Sequence, residues 1–510
     1  MSLLTAAALL IHGYHPYAED AEIYLPGVLK ILNPKLFPVN SEFFGEHAGH
    51  SLYPNLIAFS VRVTHLPLPW AAFLWHLACI FLLLAASWRL ASALFQGDSA
   101  EQRCARWAAV ALMAALLTLP IAGTWLYILD QFLNPRNLAA FAALFGVAEV
   151  LHLKYVRAAL WLVFGALMHP FMASFAILFS IWLVLLDRYR PRVLGFAGGE
   201  PGVLAQSDPS TARRAGSRDA RPRTSPAAAL PFGITFEPPP AAYHEVALRQ
   251  RSHFVLRWEW YEWLGVAGPV LLFWWLGNFA RRRGMKNLEL VSRAMVPFVL
   301  LATAAAIGLG IPARFEALTR LQPLRCLALC YMVLVVAGGG LLGMYVLQRQ
   351  SNFWRWLVLF VPLSFGMYFA QRQVFPASQH IEWPWAQPRN QWAQAFEWIR
   401  ANTPVDALFA LDPRHMELSG EDENGFRARA ERSMLADLVK DKGAASMFPP
   451  LSEKWAEQIA DEKNFEHFGK ADFERLRNKY GVSWVVVQQP GPEGLACPYA
   501  NSAVRVCQLH

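Results

Sequence analysis

The sequence predicts an α-helical polytopic membrane protein of about nine spans, followed by a small soluble α/β domain. Three observations carry this. Of 510 residues, 55% are hydrophobic and only 16% are charged, against roughly 25% charged in soluble globular domains. The apolar residues come in long blocks, each near the roughly 20 residues that cross a bilayer. Twenty Trp and 34 Phe suit aromatic belts at the two membrane interfaces.

Taken in order, residues 2–11 are apolar but too short to span, and read either as half a helix or as part of a segment whose true start lies upstream. They carry no basic segment ahead and no clear cleavage site, which makes a poor signal peptide. Spans are expected at 68–95, 107–129, 137–153, 156–186, 261–279, 291–311, 327–347 and 356–375. The 156–186 run is longer than one span needs and is broken by His169-Pro170, where proline removes a helix hydrogen bond. A single kinked crossing is the favoured reading. A tight turn between two half-helices is the alternative, and it moves the 188–260 loop to the other side.

Basic residues in short loops set the orientation. Arg281, Arg282, Arg283 and Lys286 mark one cytoplasmic turn, Arg349 with Arg355 a second, Arg103 with Arg106 a third and Lys154 with Arg157 a fourth. Counting from these, the loop 13–67, the segment around 130–136 and the C-terminal tail lie outside the cytoplasm. The net charge of +8 is largely this topological Arg, so nucleic acid is not an expected partner. Residues 195–240 are rich in Pro, Gly, Ala, Ser and Arg without apolar periodicity, and read as a disordered insert.

The chain thus divides into a span-bearing core, 1–382, and a tail domain, 383–510. In the tail, 391–402 reads as an amphipathic helix through Trp392, Phe396 and Ile399. Residues 407–411, 483–488 and 504–509 read as strands, and 471–479 as a helix. Cys79, Cys104, Cys326 and Cys330 lie in or beside apolar runs and act as small hydrophobes. No metal-ligand spacing is present. Cys497 and Cys507 flank a turn, and a disulfide between them would persist only in an oxidising compartment.

The sharpest chemical feature is Glu19-Asp20-Ala-Glu22, just after the first apolar segment. A carboxylate there can serve as a general base towards a hydroxyl, or hold a divalent cation. Spacing alone fits equally acids that merely solvate a loop. His169 sits at a helix break, where ionisable groups inside a bilayer face a cavity or bond a freed carbonyl. Arg136 and Arg325 begin apolar spans on the outer side, where a planar guanidinium can clamp a phosphate or snorkel to headgroups. Arg314 and Arg320 share that outer region. His253 and Trp258, with Trp260, Tyr261, Glu262 and Trp263, form an aromatic approach to a span, either an interfacial anchor or the wall of a sugar groove. Arg427, Arg429, Arg432, Asp437 and Lys440 read as a solvated helix face. Phosphate loops, zinc motifs and nucleophile elbows are absent.

The layout resembles the GT-C superfamily of integral-membrane glycosyltransferases. The resemblance lies in the acidic Glu19-Asp20-Ala-Glu22 of the first outer loop, the multi-span core, the His169-Pro170 break and the outer α/β tail. Asn402-Thr-Pro-Val-Asp-Ala-Leu-Phe409, Phe426-Arg-Ala-Arg-Ala-Glu-Arg-Ser433 and Tyr480-Gly-Val look like tails of bacterial members. The resemblance implies a multi-pass protein of the bacterial cytoplasmic membrane with an extracytoplasmic tail. It implies a lipid-linked sugar donor, specifically a polyprenyl-phosphate sugar, and a hydroxyl acceptor on a glycan, lipid or protein. Asp20 would be the base, assisted by Glu19 or Glu22. No cofactor is implied, and a divalent metal is left open. The competing expectation is a non-catalytic scaffold or flippase-like subunit of envelope polysaccharide assembly. An ion-coupled transporter is a weaker third, because the spans hold few carboxylates.

Overall fold

The computed structural model describes residues 1–193, 241–311, 313–347 and 353–509. The expected insert at 195–240 lies outside the described residues. Six helices among them are long and apolar enough to cross a membrane: Leu68–Leu94, Pro170–Arg188, Trp260–Arg282, Lys286–Gly310, Leu318–Leu347 and Phe353–Val374. Ser2–His12 and Tyr155–Met168 are shorter apolar helices. At 1.5 Å per residue, the 27-residue helix Leu68–Leu94 is about 40 Å long, enough for a hydrocarbon layer of about 30 Å. The chain is a mostly helical, multi-pass fold with a sheet-bearing tail.

The expected span 137–153 is the 17-residue helix Pro135–Leu151, which is not among the six, and two further expected spans fold differently. The 107–129 run is helical only through Ala115, in the 16-residue helix Ala100–Ala115. Beyond it, Pro120–Ile121 pairs antiparallel with Leu126–Tyr127. Proline cannot continue the helix. His12 takes up the helix end instead, with its ring nitrogens 2.9 Å from the Ala114 carbonyl and 2.7 Å from the Thr118 hydroxyl.

The second difference is at His169-Pro170, where the chain reverses rather than crossing once. Tyr155–Met168 ends against the first loop, where Ser51 Oγ donates to the Met168 carbonyl at 2.5 Å and Leu52 N–H to the Leu167 carbonyl at 2.9 Å. These are carbonyls that a helix end leaves open, so the loop caps the last turn ahead of the break. The next helix runs back: Phe179 packs on Phe298 and Trp182 Nε1 donates to the Ala294 carbonyl. That direction leads to the end where Asn287 donates to the Ala93 carbonyl and Arg89 pairs with Glu149 at 2.7 Å. The same end carries Arg281 and Arg282 in the last turn of Trp260–Arg282. The described chain resumes at the opposite end, where Tyr243 donates to the Ser446 carbonyl of the tail.

At that opposite end the first loop folds into three short helices, Ala21–Leu32, Glu42–Gly49 and Tyr53–Thr64. The tail sits against them. Its five-stranded sheet runs in the order Ser433–Met434, Leu408–Ala410, Trp484–Gln488, Val504–Gln508, Ala496–Ala500, the first three parallel and the rest antiparallel. Alternation along the strands splits the core in two. Phe409, Val486 and Val506 pack with Trp392, Phe396 and Ile399 of the helix Gln391–Asn402. Leu408, Val485 and Val487 pack with Phe473 and Leu476 of the helix Lys470–Tyr480. Cys497 and Cys507 form a disulfide between the edge strand Ala496–Ala500 and its neighbour Val504–Gln508. Bridges Tyr14 to Ile381 and Ala18 to Asn424 tie the first loop to the tail.

Candidate functional site

A cavity of about 160 Å³ lies where the first loop, the helix bundle and the tail meet. Five sequence-expected residues line it: Asp20, Arg136, His169, His253 and Arg325. His47, His50, Arg320 and Phe448 complete much of the wall.

Asp20 precedes the helix Ala21–Leu32, but its side chain caps no backbone N–H there. The preceding Glu19 takes a left-handed φ of 57°, and the carboxylate is turned to two cations. Arg136 Nη1 donates to Asp20 Oδ2 at 2.5 Å and Lys440 Nζ to Asp20 Oδ1 at 3.1 Å. Arg136 stands in the first turn of the helix Pro135–Leu151, which Asn134 caps by accepting from Asn137 N–H. Asp130 steadies the guanidinium at 2.9 and 3.1 Å and is itself held by Asn134 Nδ2. Lys440 also donates to Glu19. Burial works to raise the Asp20 carboxyl, yet Lys440 and Arg136 outweigh it and hold it far below the usual carboxylate range. Beside them Glu423 is pushed up to about 9, first by burial and then by the Glu19 charge, so it carries a proton at neutral pH.

Arg325 differs from Arg136 in forming no ion pair among the described residues. It sits in the turn Pro323–Cys326 that leads into the helix Leu327–Leu342. Its Nε is buried with no hydrogen-bond partner among the described residues. His253 lies 2.5 Å from Gln322 Nε2 through its own Nε2, and its Nδ1 has no partner among the described residues. Burial, then Arg325, holds the His253 pKa down at about 3. Burial holds His47 at about 4. These imidazoles are neutral hydrogen-bonding groups, while the fixed positive charge comes from arginine. A cavity of this make accepts an anion: a phosphate oxygen would satisfy Arg325 through charge-assisted hydrogen bonds.

Three expected residues stand elsewhere. Glu22 does not reach the cavity. It is fully buried and accepts from the backbone N–H of Arg427 and Ala428, both at 3.0 Å. Arg427 joins it at 3.3 Å, and the same guanidinium holds Asp441 at 2.6 Å and Asp437 at 3.8 Å. A Cβ on Gly425 would meet Glu22 Oε2 at 2.6 Å, so only glycine admits this approach. Burial pushes Glu22 up to about 8 and Asp441 to about 6, against the pull of Arg427. Glu19 faces Lys440 and positions it rather than lining the cavity. Trp258 packs its indole over Gly123, where an added Cβ would lie 2.5 Å from the ring, and lines a small adjoining hollow with Arg325.

The expected solvated face of the tail is buried. Arg427, Arg429, Arg432 and Asp437 are each at most 3% exposed, and Lys440 is turned onto Asp20. Arg427 and Arg429 are two apart, which places them on opposite sides of a helix, a signal against a shared wet face. Sequence reasoning missed Lys440, Asp130 and His47 at the site. No group of three or more His, Cys, Asp or Glu placed to hold a metal occurs among the described residues.

No family model and no curated protein matches the sequence. A similar solved structure is the archaeal oligosaccharyltransferase AglB from Archaeoglobus fulgidus in complex with an inhibitory peptide and a dolichol-phosphate. It aligns at 11% identity and a TM-score of 0.43 over 95% of this chain and 68% of that one. At that TM-score the likeness assigns neither fold nor activity to this chain.

Proposed function

We propose that the chain transfers a glycosyl group from a polyprenyl-phosphate sugar to a hydroxyl acceptor, at the outer face of a bacterial cytoplasmic membrane, with Asp20 as general base. The observation that carries it is the cavity itself. It lies at one end of a bundle of membrane-length helices and is lined both by Arg325, whose Nε has no hydrogen-bond partner among the described residues, and by the carboxylate Asp20. The Cys497–Cys507 disulfide supports an extracytoplasmic tail. The gathering of Arg281, Arg282 and Arg89 at the opposite end supports the same orientation.

In this reading the donor's phosphodiester sits between Arg325 and Arg136. Its charge competes with Asp20 for Arg136, and Asp20 is freed as the donor arrives. The acceptor O–H then gives its proton to Asp20, and its oxygen attacks the anomeric carbon. The bond from that carbon to the phosphate oxygen breaks, with its electron pair leaving on polyprenyl phosphate. The arginines stabilise the charge that grows there. One displacement inverts the anomeric centre.

The second reading is a non-catalytic scaffold. One observation favours it: both Asp20 oxygens are bound by cations, as in a structural ion pair. The test uses the full chain in lipid nanodiscs with a panel of polyprenyl-phosphate sugars, product being read by mass spectrometry. Transfer abolished in Asp20→Asn, with donor binding lost in Arg136→Ala and Arg325→Ala, is expected. Undiminished transfer in Asp20→Asn, or no binding of any donor, sinks the proposal and leaves the scaffold.

A further inference from the structure

A second cavity, about 90 Å³, is formed by the first loop and the tail and shares no lining residue with the first. Its chemistry is different. Tyr14, Tyr17 and Trp383 supply aromatic surface, and Glu382, Glu397, Arg400 and Arg429 supply charge. The charges are two and two. Arg429 pairs with Glu397 at 3.2 Å and with Glu382, and its guanidinium lies 4.4 Å from the Tyr17 ring centre. Four prolines, Pro16, Pro69, Pro384 and Pro388, stiffen the walls, which lowers the ordering cost of binding.

Among the described residues, two polar atoms of this lining have no hydrogen-bond partner. The Tyr14 hydroxyl is completely buried without a hydrogen bond, and so is Nε of Arg429, on a side chain 2% exposed. Leaving buried polar groups unsatisfied is costly, and native proteins rarely do so without cause. The balanced charge rejects a phosphate and any other strong anion. The mix of aromatic surface, carboxylates and donors suits a ring with apolar C–H faces and hydroxyls that both donate and accept. We infer that this second cavity binds a neutral pyranose unit of a glycan, with Tyr14 and Arg429 donating to its hydroxyls and Glu397 accepting from them. The inference stands on this cavity and does not need the transferase chemistry of the first.

The experiment is saturation-transfer NMR on the full chain in nanodiscs, with methyl glucoside, methyl mannoside, methyl galactoside and N-acetylglucosamine as probes. Saturable binding of at least one is expected. Tyr14→Phe removes only the unpartnered hydroxyl, so the protein should keep its thermal midpoint while that binding weakens about five-fold, the scale of one hydrogen bond. Glu397→Gln should weaken it by a similar factor. No saturable signal from any probe overturns the inference. So does a sugar bound equally well by wild type, Tyr14→Phe and Glu397→Gln, or a sugar displaced by inorganic phosphate.

Discussion

Asp20 and Glu22 are two residues apart, and both meet arginine. Around Glu22, three buried carboxylates converge on Arg427 and every partner is internal. Around Asp20, the ion pairs border a cavity whose wall also holds Arg325, which forms no ion pair among the described residues. Charge that is closed on itself locks the tail to the first loop. Charge left open is what a ligand can use. The residue types are the same, and only the bookkeeping of partners tells the two regions apart.

The largest effect should come from breaking the closed region. Arg427→Ala leaves Glu22, Asp437 and Asp441 buried without their cation, and losing one partner of a buried pair costs about 3–5 kcal/mol. Chemical unfolding of the full chain in nanodiscs should show the tail transition moved by that order. A shift comparable to that of an exposed ion pair would mean the tail is not held there.

The closed region also has its own pH signature. Glu22 is raised to about 8, first through burial, from an ordinary value near 4.5. The folded protein therefore binds more protons than the unfolded chain between those values, and stability falls as pH rises through them. The slope for one group is at most ~1.4 kcal/mol per pH unit. Asp20 is held low, so its contribution is present above about 3.9 and lost only as pH falls further. Glu22→Gln should flatten the decline between pH 5 and 8. An unchanged decline would assign it to other buried carboxyls, such as Glu421 and Glu423.

Opening to a ligand predicts the reverse pattern for Arg325. Arg325→Ala should leave the unfolding transition unchanged and lower phosphate-donor affinity roughly 10- to 100-fold, the value of a hydrogen bond to a charged group. Titration calorimetry with the polyprenyl-phosphate donor measures it. Lost stability with retained affinity would make the cavity a second closed region.

Sequence revealed what rests on local pattern. Apolar runs marked the long helices, and Trp392, Phe396 and Ile399 marked a tail helix that buries them. Where pattern met tertiary partners it failed. The 107–129 run is apolar, but its helix stops where His12 takes the end. His169-Pro170 was visible as a break, but the reversal depends on Ser51 and Leu52 capping the last turn ahead of it. Around the cavity, Asp20, Arg136 and Arg325 are legible as candidates because each sits beside an apolar segment. Lys440 had no such mark, since its partners are about 420 residues away. Glu22 was separable in principle: two positions beyond Asp20, it starts round the far side of the helix.

Lys440 gives the smallest and sharpest test, because it belongs to both regions. It comes from the tail, beside Asp437 and Asp441, yet its ammonium lies on Asp20 and Glu19. Asp20 faces Lys440 and Arg136 as cations, with Glu19, Asp130 and Glu423 as surrounding acids. Lys440→Gln removes one cation and keeps a hydrogen-bond donor. With Arg136 still in place, Asp20 should rise by about one pH unit, at the low end of what a neighbouring charge contributes. A base works in its ionised form, so the acid limb of the transfer rate should move to higher pH by that amount, with the plateau little changed. If Lys440 only fastened the tail, the variant would lower stability and plateau together and leave the limb in place. A limb that moves the other way would remove Asp20 as the base.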